Sequence, residues 1–106
     1  MAMNALAVKE WENPVHIQYI DSDSYMSTVV DSDVPWVLTF VSTSAKESIE
    51  AINSYEELAK SYDGRVKFGW VDRGKSEHLS ETFEARFLPH SFLLTEGNAH
   101  WYRDFA

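Results

Sequence analysis

The sequence contains no cysteine among its 106 residues, and it is poor in basic side chains. Without a thiol the chain can form no disulfide bond, no thiolate nucleophile and no cysteine-ligated metal site. Nine Lys and Arg stand against seventeen Asp and Glu, and the formal net charge of -8 repels phosphate backbones and acidic membrane surfaces. No apolar run approaches the roughly 20 residues of a membrane span. We therefore expect neither a nucleic-acid partner nor a membrane span in this chain.

What the chain does contain is typical of an ordered globular domain, because 44% of its residues are apolar and 14% are aromatic. Its length suits one domain with its own core. We expect a single domain over residues 1–106, with residues 1–14 as an N-terminal extension and residues 15–106 as the core. The first nine residues lack a basic region before their short apolar part, so we interpret them as an added start or a first helical turn rather than a signal peptide.

Apolar periodicity predicts several strands. Residues 15–20 alternate strictly between apolar and polar, which is typical of a strand with one buried face. Residues 36–41 form a short apolar run after Pro35, which favours a buried central strand. Further strands are predicted over residues 66–71, 91–95 and 99–103, the last two joined by a turn at residues 96–98 that contains Gly97.

Helices are predicted between these strands. In the longest one, over residues 45–62, apolar side chains recur every three or four residues, and the serines and threonine at 42–44 are its candidate N-caps. A short helix is predicted over residues 23–31, and another after Ser76. Strands alternating with helices, followed by a hairpin, predict an α/β fold with a mixed sheet.

Two stretches carry a resemblance to a known family. The segment from Phe87 to Gly97, Phe-Leu-Pro-His-Ser-Phe-Leu-Leu-Thr-Glu-Gly, resembles the cis-proline, strand and glycine turn of the thioredoxin fold. The strand from Val66 to Asp72 resembles the strand before it. The resemblance extends over residues 15–105 and is closest to relatives of protein disulfide isomerase. It implies a central mixed sheet flanked by helices and a cis peptide bond before Pro89. The family's closing helix is expected to be absent or truncated.

The same resemblance locates the family's Cys-x-x-Cys pair on this chain. Its two cysteine positions fall on Ala45 and Ser48, with Lys46 and Glu47 between them. The family's buried carboxylate falls on Thr39, and its helix-bending proline falls on Asn53. Thiol-disulfide exchange needs a thiolate, and a hydroxyl does not replace it near neutral pH. The resemblance therefore implies a redox-inactive domain that is not an enzyme and holds no cofactor.

What can survive without cysteines is the family's peptide-binding groove beside the cis-proline. Backbone groups next to such a proline can pair with an extended peptide. The residues that the resemblance assigns to this groove are Ser44, Ala45, Lys46, Ser48, Leu88, Pro89 and His90. A structural interpretation has equal weight, namely that Pro89 is present because the fold needs its turn.

Two other kinds of site are weaker hypotheses. Ser48 and His90 could form a nucleophile and its base, although a capping serine and a loop histidine explain them more simply. The remaining histidines lack zinc-ligand spacing, and the aspartates between residues 21 and 33 fit turns and caps better than a calcium loop. We expect no metal site.

Three functions follow from these interpretations. The first is a non-catalytic module, with a chaperone or adaptor role, that binds a protein or an extended peptide in the groove. The second is an assembly domain that binds a partner or its own copy through a sheet face left uncovered by the missing helix, where Trp101 would lie. The third is a disulfide isomerase-type oxidoreductase domain whose cysteines were engineered out. We expect the lumen of the endoplasmic reticulum if the chain is a fragment of a disulfide isomerase relative, and the cytoplasm otherwise.

Overall fold

The computed structural model describes residues 10–62, 64–95 and 98–102, the last range as backbone alone. Its elements follow the predicted order of strands and helices. The strands are β1 Gln18–Tyr19, β2 Trp36–Val41, β3 Lys67–Asp72, β4 His90–Thr95 and β5 Asn98–Tyr102. The helices are a π-helical segment Tyr25–Val30, α1 Lys46–Ser61 and α2 Glu77–Thr82.

The five strands form one mixed sheet in the order β1-β3-β2-β4-β5. β1 and β2 both run parallel to β3, whereas β4 runs antiparallel to β2 and pairs with β5 as a hairpin. The predicted mixed sheet is therefore confirmed. All six residues of β2 are buried, as expected for a strand that has a neighbour on each side and a helix against each face.

Alternation along β2 divides the interior into two cores. Trp36, Leu38 and Phe40 pack on the face covered by α2, and Val37 and Val41 pack on the face covered by α1. Trp36 is 1% exposed and Trp70 is 6% exposed, so both tryptophans belong to the core, as their positions in central strands predict.

The first predicted strand is largely wrong. β1 has two residues, Val15 is 84% exposed, and the buried side chains Ile17 and Ile20 lie in different cores. The reason is that the backbone N–H groups at the start of the segment donate to a side chain of α1, so this stretch enters the sheet only at Gln18. Strict apolar alternation therefore did not correspond to one buried face.

The acidic residues after β1 form a turn, as predicted, but they do not cap the helical segment that follows, because its N-cap residue, Ser24, makes no side-chain capping bond. The Asp21 carboxylate accepts the Ser24 N–H at 2.9 Å, and the Ser24 hydroxyl accepts the Asp21 N–H at 3.1 Å. The first of these bonds is the main reason that the pKa of Asp21 lies below its ordinary value. This reciprocal pair closes the turn that leads into the π-helical segment.

The structure has no candidate for a membrane-crossing helix: within residues 10–62 and 64–95, every helix is too short or too polar. The residues after Tyr102 and the side chains of β5, Trp101 among them, lie outside the described residues. The expectations of a missing closing helix and of an exposed Trp101 are therefore not tested by this structure.

Candidate functional site

The turn between β2 and α1 is where the resemblance locates the cysteine pair. The Ala45 N–H donates to the Ser42 carbonyl at 3.1 Å, and the Ala45 carbonyl accepts the first helical N–H, from Ile49, at 3.1 Å. Ala45 is thus the N-cap residue of α1, and Ser48 lies in the first turn. Both positions are at the carboxyl end of a central strand, which is a common location for binding sites in α/β proteins.

The prediction that a hydroxyl at 42–44 caps α1 is wrong, because Ala45 is the N-cap and no side chain caps the helix. The hydroxyls of Ser42 and Ser44 lie 3.3 Å apart and bond to each other. The hydroxyl of Ser48, which is fully buried, instead reaches back and accepts the Ser42 N–H at 3.1 Å. Ser48 therefore lies beneath the turn and stabilises it from inside.

Behind this turn, three hydroxyl groups form a buried chain on the α1 side of the sheet. The Thr39 and Ser91 hydroxyl oxygens are 3.0 Å apart, and the Ser91 and Tyr55 oxygens are 2.8 Å apart. All three residues are at most 5% exposed. Burial raises the pKa of Tyr55, and the bond to Ser91 opposes this only in part. At the position where the family resemblance implies an ionisable carboxylate, this chain has neutral hydroxyls bonded to each other.

His90 begins β4 and is also buried. Its ring stacks on Phe92, at 4.6 Å between centroids, and Phe92 belongs to the core on the α2 side. Burial lowers the pKa of His90, so the neutral imidazole is favoured. Ser48 lies on α1, against the opposite face of the sheet, so this geometry does not favour a nucleophile and its base. The simpler interpretation is also wrong in detail, because Ser48 is not the cap of α1 and His90 is a buried strand residue rather than a loop residue.

The remaining predicted groove residues lie at the surface or close to it. The peptide bond between Leu88 and Pro89 is cis, as the resemblance implies. Both of these residues are half-buried, while Ser44 and Lys46 are exposed and Ala45 is half-buried. β4 pairs with β2 from Phe40 onward, so the segment before β4 and the turn after β2 emerge next to each other.

A cleft of about 700 Å³ opens where these two segments meet. Ser42 and Leu88 line one part of it, and the rest is formed by the loop after β3, by α2 and by the segment that follows α2. The other lining residues are Arg73, Gly74, Glu77, Ser80, Glu81, Glu84, Ala85 and Arg86. Of the predicted groove residues, Leu88 alone lines this cleft.

The cleft therefore extends the predicted groove toward α2, and sequence reasoning missed that part. Next to Leu88 in the chain is Phe87, whose side chain is 77% exposed. A large exposed aromatic residue beside a cleft is typical of an interaction surface. An aromatic residue inside a proline-containing loop was the available signal, but sequence alone does not show whether such a ring points outward.

Glu84, at the edge of the cleft, has a φ of 55°, in the left-handed region. It follows the α2 C-cap, and the bonds from the Glu84 N–H to the Glu81 carbonyl and from the Ala85 N–H to the Ser80 carbonyl form a Schellman motif. This position favours glycine, because a Cβ costs about 1 to 2 kcal/mol there.

We expect Glu84→Gly to raise the free energy of unfolding by about 0.5 to 1 kcal/mol, because relief of the backbone strain exceeds the extra chain entropy of glycine. The exposed ion pair with Arg86 contributes little. Urea unfolding would measure the change. Glu81→Gly, within α2, is the matched control and should lower stability by about 1 kcal/mol. Equal losses at both positions would contradict the assignment.

Within the described residues, no three His, Asp or Glu side chains lie close enough together to hold a metal ion. The expectation that the chain binds no metal stays a prediction.

Comparison with known proteins identifies the fold. No family model matches the sequence, and no curated protein matches it. Among solved structures, the J-Trx1 fragment of ERdj5 superposes with a TM-score of 0.76 at 22% sequence identity. The match covers 85% of this chain and 45% of that one, so the chain spans less than half of its neighbour. The chain has a thioredoxin-like fold, and it has no cysteine with which to carry out thiol-disulfide exchange.

Proposed function

We propose that this domain is a non-catalytic protein-binding module that holds an extended polypeptide segment in the cleft beside Leu88. The observation that carries the proposal is the position of the cleft. It opens at the carboxyl end of the central strand β2, and it includes the residue before the cis-proline. Ser44, Ala45, Lys46 and Pro89 would form its approach from the α1 side, and Ser48 and His90 would support it from beneath.

Two features of the loop support binding of an extended chain. The backbone N–H of Leu88 has no hydrogen-bond acceptor among the described residues, so it can donate to a peptide carbonyl. The exposed ring of Phe87 offers apolar area to a ligand side chain. A partner of this kind also agrees with the net charge of -8, which disfavours nucleic acid.

The proposal is tested with a denatured, cysteine-blocked model protein as the ligand, and binding is measured by fluorescence anisotropy. We expect Phe87→Ser to weaken binding about tenfold, since aromatic anchors at interfaces contribute 1 kcal/mol or more. Because Phe87 is 77% exposed, the same change should leave the free energy of unfolding within about 0.5 kcal/mol of the original.

Val15→Ser is the matched control. Val15 is also an exposed apolar residue, at 84%, but it lies beside α1 and not in the cleft. It should leave binding unchanged. If both variants weaken binding equally, or if neither does, the surface formed by Phe87 and the cleft beside it is not the binding site.

The assembly domain remains the second candidate. Its surface would be the sheet face beside α1, of which Leu93 is half-buried. Part of this face already has a cover, because the rings of Trp11 and Tyr19 lie 4.6 and 4.7 Å from that of Trp70. We therefore favour the cleft. If Leu93→Ala abolished partner binding while Phe87→Ser left it intact, the assembly hypothesis would replace it.

The third candidate, an oxidoreductase whose cysteines were engineered out, depends on the natural residues at positions 45 and 48. Sequencing the parent gene answers it directly. The hydroxyl of Thr39, at the position where the resemblance implies the family's buried carboxylate, favours a domain that is inactive by nature, because this second departure from the redox site does not involve a cysteine. The compartment follows the parent protein: we expect the lumen of the endoplasmic reticulum for a disulfide isomerase relative, and the cytoplasm otherwise.

A further inference from the structure

Residues 10–16, which we term the N-terminal strap, run beside α1 before the chain enters the sheet. Trp11 anchors one end of the strap on Trp70 of β3, with 4.6 Å between the ring centroids. The middle does not pack closely on the helix. A cavity of about 320 Å³ lies between the strap and α1, above Ile49 and Ile52.

The other end of the strap is held by one carboxylate. Glu56 of α1 accepts the Val15 N–H on Oε2 and the His16 N–H on Oε1, both at 2.8 Å. The His16 Nδ1 lies 3.3 Å from Oε2 of the same group. A carboxylate that accepts two backbone N–H groups in this way is well matched only when both of its oxygens are unprotonated.

We propose that Glu56 is a pH-dependent latch, whose protonation releases the N-terminal strap from α1 while the sheet stays folded. A protonated carboxyl group carries an O–H on one oxygen, which would face a backbone N–H donor in place of an acceptor. At least one of the two backbone bonds is then lost, together with the attraction between Glu56 and a charged His16. The other end, at Trp11, does not depend on charge.

The direction of the pH effect follows from the balance of forces at Glu56. Partial burial raises its pKa, but the bonds from Val15, His16 and the imidazole together outweigh this, so its pKa lies below the ordinary value of 4.5. A carboxyl group with a lowered pKa stabilises the folded form above that value and loses its contribution as the pH falls below it. The latch is therefore closed at neutral pH and opens in acid.

The charged groups around Glu56 modify this balance without reversing it. The strap also carries Glu10 and Glu12, which line the same cavity and have the same sign of charge as Glu56. On α1, Lys60 lies one turn further along but donates to Glu57 at 3.0 Å. From β3, the neighbouring core residue Trp70 carries no charge.

Opening the latch would uncover an apolar surface beside α1. Ile49 and Ile52 line the cavity under the strap, and Trp70 lies under Trp11. This surface lies on the opposite side of the sheet from the cleft. The latch is therefore independent of the proposed peptide-binding function, and either can fail without the other.

Amide hydrogen exchange, followed residue by residue by NMR, tests the latch. Between about pH 6 and about pH 3 we expect the protection factors of the Val15 and His16 amides to fall about tenfold or more, while that of Leu38 in β2 is retained. Glu56→Gln should remove this protection at both pH values, because its amide group offers one acceptor oxygen and no charge. Glu57→Gln, which changes the exposed neighbouring carboxylate, should behave like the unmodified chain.

Each possible result of this experiment either supports the latch or overturns it. Loss of protection in the strap alone, abolished by Glu56→Gln, supports the latch. Strap protection that is the same at both pH values, or that survives Glu56→Gln, overturns it. So does simultaneous loss at Val15 and Leu38, because acid would then unfold the whole domain rather than the strap.

Discussion

Gly69→Val is expected to lower the free energy of unfolding by about 3 kcal/mol or more, a large fraction of the stability of a domain of this size. Gly69 lies in β3, between Gln18 of β1 and Leu38 of β2. A Cβ built at this position would lie 2.9 Å from Ile20 Cγ1 and 3.1 Å from both Leu38 Cδ1 and Trp36 Cζ3. All three neighbours are at most 1% exposed, so they have no free space into which to move. Urea unfolding followed by circular dichroism measures the loss.

Gly74→Ala provides the matched control. A Cβ at Gly74 would make one ordinary contact, at 3.4 Å from Asp72 Oδ1, so we expect a change within about 0.5 kcal/mol. A double-mutant cycle identifies the cause: in an Ile20→Ala background, Gly69→Ala should cost clearly less than the 1 to 3 kcal/mol usual for overpacking. If Gly69→Val were as mild as Gly74→Ala, crowding by these neighbours would not be the reason for glycine.

The architecture could be predicted from the sequence because its strongest patterns are local. The apolar spacing of α1 and the apolar run of β2 each identify an element within one or two residues of its observed bounds. The parallel pairing of β2 with β3 and the hairpin of β4 with β5 then follow from the order of the elements. Their positions in central strands also predict the burial of Trp36 and Trp70.

What the sequence could not show depends on contacts between distant segments. Strict alternation over residues 15–20 suggested a regular strand, but the bonds from Val15 and His16 to Glu56, some forty positions further along the chain, override it. Likewise, the resemblance assigns Ser48 to the surface of the groove, but its side chain is fully buried. Its distance from solvent is set by the fold of the β2–α1 turn, which no local pattern describes.

The candidate site also combines a local feature that the sequence predicts with a non-local one that it does not. The cis bond before Pro89 was implied by a local motif, and it is present. The cleft is built from segments that follow three different elements, so its lining could not be assembled from any one stretch of sequence. Glu77 and Glu81 of α2 line the cleft, but in the sequence they show only the pattern of a solvent-exposed helix face.

Ser91→Ala is expected to lower the free energy of unfolding by about 2 to 4 kcal/mol, although it removes one oxygen atom. The Ser91 hydroxyl bonds to both Thr39 and Tyr55, at 3.0 and 2.8 Å, inside the core. Its loss removes a partner from two buried polar groups at once, and each such loss costs about 1 to 3 kcal/mol. Thr82→Ala, which removes an exposed hydroxyl bonded to the His78 carbonyl, is the control and should cost less than about 1 kcal/mol.

The decisive variant removes the whole chain of hydroxyls. Thr39→Val and Tyr55→Phe, combined with Ser91→Ala, leave apolar groups of nearly the same shape, and such replacement can be almost neutral. We therefore expect the triple variant to be more stable than Ser91→Ala alone, by about 1 kcal/mol or more. Simple addition of three losses would contradict the assignment, because it would mean that each hydroxyl acts independently of the other two. A recovery of stability would instead show that Thr39, at the position implied for an ionisable carboxylate, acts here as one part of a neutral bridge. This bridge joins β2 and α1 to the strand that directly follows the cis-proline.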